Sequence, residues 1–233
     1  MPDSWTRALN LYCYPVDLRA YRRSHEFPGF FEMLIQGDRT STMAFENRFR
    51  ETAPNHIAAF LEVVFWKLFS QGGRRDIKTD NVKDHVQRSN ILPKNLWNAV
   101  LIFLKDQNLN NLRSIRTMLG FTAPVLATTL TFPAFAHPDT FPMVDTRVAK
   151  WVNEHFQEGH NINKKYKLTN FNYNGQGVLT ENDFTNYLHW VGWCRETSEI
   201  LTRQTGEKWR ARDVEMAVFT AQDKKIGLNP LKN

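Results

Sequence analysis

Apolar residues recur along most of this chain with a helical period. In "NHIAAFLEVVFWKLFS", Ile57, Phe60, Leu61, Val64 and Leu68 stand at i, i+3, i+4, i+7 and i+11, which predicts a helix with one broad buried face. Pro54 and Asn55 open it and Gly72-Gly73 ends it. A second helix is predicted from about Pro93 to Asp106, turning Leu96, Trp97, Val100, Phe103 and Leu104 inward. Pro93 in its first turn leaves no amide unpaired. Leu112, Ile115, Arg116 and Leu119 predict a short helix that stops at Gly120, and Pro124 can open the next, which runs to about Thr131 before Pro133 breaks it. After Asp145, the residues Val148, Trp151, Val152, His155 and Phe156 form another stripe. The stretch from Thr180 to Gly206 starts on a Thr180…Asp183 pair resembling a capping box, and "RARDVEMAVFTAQ" carries the last helix. No alternating strand pair stands out, so the expected fold is all-α. Pro15, Pro28, Gly29 and Gly37 break the first 50 residues into short helices, and the Asn- and Gly-rich segment 158–177 reads as a loop.

Composition narrows the class. The chain has 233 residues, 42% of them hydrophobic and 23% charged, enough for one large domain or two small lobes of a soluble protein. No apolar run approaches the roughly 18 residues that cross a bilayer. "MPDSWTRALN" lacks the basic and apolar regions of a secretory signal, so an intracellular setting without membrane attachment is expected, in cytoplasm, nucleoid or nucleus. Cys13 and Cys194 have no partners at metal-ligand spacing and read as packing residues. Asn170, Asn172, Asn174, Gly175 and Glu181 match the spacing of a calcium-binding loop, but Glu181 is the one carboxylate among them and "NKKYKL" beside them is cationic. No metal and no cofactor are expected.

The net charge of +6 is clustered in segments 21–25, 48–51, 72–78 and 163–167. Clustered Lys and Arg suit a polyanion, and a solvated basic surface accounts for the charge equally well. "GFTA" joins two short helices in an αα-hairpin. The amides that open the second helix form a site for phosphate, although most such hairpins are packing units.

The hairpin "GFTAPVLA" followed by "FAHPDTFPMVDTRVAKWV" resembles the helix-hairpin-helix DNA glycosylase superfamily over residues 109–152, about a fifth of the chain. The resemblance implies two helical lobes with the helix-hairpin-helix at their junction. One would be a bundle over about 40–135 that includes the hairpin at 109–131, and the other would join 1–39 to 136–233. It implies double-stranded DNA as partner, gripped through Gly120, Phe121, Thr122, Ala123, Pro124 and Val125, with Asp145 as the catalytic carboxylate. Two departures matter. Thr122 replaces the second hairpin glycine, and no lysine occurs between Pro124 and Asp145, so a Schiff base cannot form there. The resemblance therefore implies the monofunctional, water-using type, or a non-catalytic nucleic-acid binder or scaffold.

Two roles fit Asp145, and they are compatible. As an N-cap it contributes about 1 kcal/mol; as a reagent it stabilises an oxocarbenium-like sugar and orients water. Arg147 can meet phosphate or pair with a carboxylate. Lys67, with Trp66, and Arg74-Arg75 can edge a DNA groove, or Trp66 can lie in the core while Lys67 reaches outward. The seven Trp and 17 Phe are material for a base pocket. Arg212 and Asp213 read as a structural ion pair, His137 as a loop residue and His155 as a packed histidine.

Overall fold

The computed structural model describes residues 2–121, 126–156 and 180–231. Among them lie ten α-helices: α1 Pro2–Asn10, α2 Arg39–Thr52, α3 Ile57–Lys67, α4 Arg74–Arg88, α5 Pro93–Lys105, α6 Leu109–Met118, α7 Leu126–Ala136, α8 Thr146–His155, α9 Glu181–Thr205 and α10 Ala211–Lys224. Two two-residue strands, β1 Val16–Asp17 and β2 Leu34–Ile35, pair antiparallel with Val16 opposite Ile35. The protein is all-α in class. No helix among the described residues is long and apolar enough to cross a membrane.

The helices gather into two units, one within residues 14–136 and one within 1–13 plus 137–233. Residues 14–39 thus belong with the 40–135 bundle, not with the C-terminal third, and only α1 joins the latter. Aromatic packing is the cause. Tyr21 and Phe31 lie 5.4 Å and 6.1 Å from the Phe65 ring of α3, and the Tyr21 hydroxyl donates to Asp80 of α4 at 2.7 Å.

In the 14–136 unit, α3 is buried on every side from Ala58 to Trp66, so the single face expected from its period is too narrow a reading. The helix is wrapped by α2, α4 and α7. Helix α7 runs through Pro133 to Ala136 where a break at Pro133 was expected. Pro133 has no amide to give the Thr129 carbonyl, yet Leu130, Phe132, Ala134 and Phe135 are all fully buried around it, and that packing holds the helix together. The segment after Gly73, expected only as a basic cluster, is the fifteen-residue α4. Its inner face is largely polar. Asp80 accepts hydrogen bonds from Tyr21 and Arg22, and Lys83 donates to Glu26 at 2.8 Å. Burial opposes ionisation of Asp80, but the Arg22 and Tyr21 donors outweigh it and hold the carboxyl below its ordinary range.

The other unit is centred on tryptophans. Trp5, Trp151, Trp190 and Trp193 are buried in one cluster, with Trp190 stacked on Trp193 at 5.2 Å and Trp5 set edge-on to Trp151 at 6.4 Å. Helix α1 packs along α10, and Tyr12, two residues beyond the end of α1, meets Phe219 at 5.8 Å. At the start of α10, where Arg212 and Asp213 were expected to form a structural ion pair, Asp213 pairs with Arg210 at 2.8 Å, and Arg212 pairs with Glu215. Cys194 is buried as expected, and burial pushes its thiol up, whereas Cys13 is exposed. The calcium-like segment lies outside the described residues apart from Glu181, as does the loop at 158–177.

Candidate functional site

Asp145 ends a buried, extended segment. Phe141, Pro142, Met143 and Val144 are all buried, while Asp145 is half-buried and Thr146 and Arg147 are exposed. Three sets of donors fix this segment from within its own unit. The Tyr187 hydroxyl of α9 donates to the Pro142 carbonyl at 3.1 Å, and the Trp190 Nε1–H donates to the Met143 carbonyl at 3.0 Å. The backbone amides of Ala211 and Arg212 donate to the carbonyls of Asp139 and Pro138 at 3.2 and 3.0 Å. Burial pushes the Tyr187 phenol well above its ordinary value, so it stays a proton donor at any physiological pH.

The Asp145 backbone is extended at φ −142°, and its Oδ1 accepts the Val148 amide at 2.9 Å. That satisfies one of the four orphan amides of α8 and places the carboxylate at the positive end of the helix dipole. Oδ2 has no hydrogen-bond partner among the described residues. A capped carboxylate with one oxygen still open, on a rigid support, can accept a proton or face a developing positive charge.

The structure distributes the other expected site residues. Arg147 pairs with Asp223 of α10 at 3.0 Å and lies 4.5 Å over the Phe219 ring, so its charge is engaged within the unit. Lys67, Arg74 and Arg75 belong to the 14–136 unit, at the corner where α3 ends and α4 begins. Trp66 is buried in the core, as the structural alternative required, and Lys67 is half-buried at the last position of α3. Arg75 stacks at 4.2 Å on Phe69 and 5.1 Å on Phe65 and donates to the Phe69 carbonyl, whereas Arg74 is exposed with no ion pair among the described residues.

Gly120 closes α6 in a Schellman turn: its amide donates to the Thr117 carbonyl and that of Phe121 to Arg116, at 3.0 and 3.1 Å. Gly120 has φ +70°, and a Cβ there would stand 2.3 Å from the His85 ring of α4. Thr122, Ala123, Pro124 and Val125 lie outside the described residues. His137 is exposed in a turn, and His155 is half-buried, stacked at 4.4 Å on Trp151 and donating Nδ1–H to its carbonyl. Among the described residues no group of three His, Cys, Asp or Glu side chains is placed to hold a metal ion.

The sequence gives no local sign of Tyr187 and Trp190, because they stand 45 and 47 residues beyond the carbonyls they hold. Six of the seven tryptophans, all but Trp97, are buried, which makes them core and not a pocket lining. No protein-family model, curated protein or solved structure matches this chain.

Proposed function

We propose that this protein binds double-stranded DNA and hydrolyses the N-glycosidic bond of a damaged, modified or mispaired base, with Asp145 assisting the attacking water. The observation that carries this reading is the half-buried Asp145 carboxylate, held at the start of α8 by one oxygen with its second oxygen open. In the reaction the carbon–nitrogen bond breaks as the water oxygen bonds to the anomeric carbon. One water proton passes to the carboxylate and is then released to solvent, which supplies the proton that the departing base nitrogen gains, so the carboxylate is regenerated. The carboxylate also faces the positive charge that builds on the sugar, as in other glycosyl transfers. Extruding the base from the duplex costs a few kcal/mol. No lysine lies between Pro124 and Asp145 to open the sugar, so the product is an intact abasic site.

The test is a panel of duplexes carrying damaged, modified or mispaired bases, treated with alkali to break abasic strands. Asp145→Asn keeps a good N-cap, so the fold and duplex affinity should survive while strand breaks disappear. Full activity of that variant would remove the mechanism. A second reading, a non-catalytic nucleic-acid binder or scaffold, needs only cations such as the exposed Arg74 and no open carboxylate. Salt-sensitive duplex binding with no breaks on any substrate would select it.

A further inference from the structure

The 14–136 unit contains a cavity of about 580 Å³ on the surface formed by the 26–30 loop, the start of α3 and the end of α4. Its walls combine two chemistries. Phe27, Phe30 and His56 supply aromatic rings, with the Phe30 and His56 centroids 5.1 Å apart. Asn55, Gln87 and Asn90 supply side-chain amides, each able to donate and accept a hydrogen bond at once. No Lys or Arg lines it, and Glu26 places a carboxylate at its edge.

The loop that carries Phe27 and Phe30 is built at a cost. Phe31 holds φ +58°, a conformation that a bulky residue rarely adopts. It is kept there by the buried Glu62, whose Oε1 accepts the Phe31 amide at 2.5 Å, and by packing of its ring 4.6 Å from Tyr21. Arg48 donates to the Gly29 carbonyl, lies 5.0 Å over the Phe30 ring, and stands 3.6 Å from Glu62. A buried carboxylate and an arginine therefore hold a half-buried aromatic turn in a strained shape. Backbone strain of this kind persists where the surrounding structure over-determines it, and it concentrates at ligand sites.

Rings with interleaved amides match one ligand chemistry: a flat, nitrogen-containing heteroaromatic ring, whose faces take aromatic contact and whose edge presents amide-like donors and acceptors. No Lys or Arg is among the lining residues, and the nearby Lys83 is already paired with Glu26 at 2.8 Å, so an attached phosphate gains no partner of its own in the cavity. We propose that this cavity is a binding site for an uncharged nucleobase or nucleoside, separate from the Asp145 site and independent of its chemistry.

The test uses the full chain with adenine, guanine, cytosine and uracil, then adenosine against AMP, followed by saturation-transfer NMR and titration calorimetry. At least one free base is expected to bind with a dissociation constant below about 1 mM. His56→Ala and Asn55→Ala replace exposed side chains and should weaken it about tenfold, with Phe30→Ala at least as damaging. AMP should bind no tighter than adenosine, and Asp145→Asn should bind like wild type, which separates this site from the proposed reaction. Failure of every base to bind at about 1 mM would overturn the proposal. So would binding unmoved in His56→Ala and Asn55→Ala, tighter binding of AMP, or loss of binding in Asp145→Asn.

Discussion

Glu62 sits on α3 with 1% of its surface exposed, where it accepts the Phe31 amide and faces Arg48. Burial pushes its pKa up from 4.5 to about 7, against the opposing pull of the Phe31 amide and the Arg48 charge. The folded state therefore holds the proton more tightly than the unfolded chain does. Its contribution to stability is complete below pH 4.5 and is lost as pH rises towards 7. Each pH unit in that window removes at most about 1.4 kcal/mol. Glu62→Gln keeps an acceptor for Phe31 and cannot ionise. Urea unfolding should show the variant gaining on wild type by roughly 2–3 kcal/mol between about pH 5 and pH 8. A gap that does not change with pH would mean that Glu62 keeps one protonation state throughout. Asp145 poses the simpler residue-level question. Asn caps about as well as Asp, whereas Ala loses about 1 kcal/mol, so the Asp145→Ala and Asp145→Asn melting curves should separate structure from chemistry.

At the level of elements, the turn after α6 ties the candidate DNA grip to α4. A side chain at Gly120 would meet both a left-handed backbone and the His85 ring, so Gly120→Ala should destabilise by at least about 1 kcal/mol. Chemical denaturation of that variant beside His85→Ala/Gly120→Ala would show how much of the loss comes from the ring, since the His85 Cβ, 2.7 Å from the added Cβ, stays in place. The start of α10 carries a further dependence: Asp213→Ala removes the carboxylate that accepts both the Arg210 amide and its guanidinium, and should cost about 1–3 kcal/mol in the same assay. These elements were unequally legible. Helices α5, α6, α8 and α9 follow from apolar period, caps and glycine stops, because each buries one face, whereas α10 is buried on every side from Ala211 to Ala221. Helix α4 has only Val82 and Val86 as buried apolar residues, and its other buried positions are Thr79 and two ions, Asp80 and Lys83, which meet Tyr21 and Glu26 more than fifty residues away. Periodicity cannot see such pairs. The Asp145 cap was legible because its partner is three residues on, while the clamps from Tyr187 and Trp190 depend on tertiary placement.

For the whole molecule, the formal charge of +6 suits a polyanionic partner only through those cations that the fold leaves available. Much of the basic content is committed internally: Arg22 and Arg23 to Asp80, Lys83 to Glu26, Arg48 to Glu62, Arg210 to Asp213 and Arg147 to Asp223. Arg74 opens α4 at an exposed position, and His85, under the Gly120 turn, lies eleven residues further along the same helix, roughly 16 Å away. One rigid helix thus links the exposed arginine to the base of the hairpin. If duplex binding runs through this face, each phosphate neutralised adds about 0.9 to the slope of log affinity against log salt. Fluorescence anisotropy across a salt series should then show Arg74→Ala flattening the slope by about one, while Arg147→Ala leaves it unchanged because its partner is already Asp223. Equal flattening in both variants would mean that the Arg147–Asp223 pair opens on DNA. Such an exposed pair stabilises by under about 1 kcal/mol, so a phosphate can displace Asp223 at little cost, and the sign of that one comparison decides which cations the protein offers.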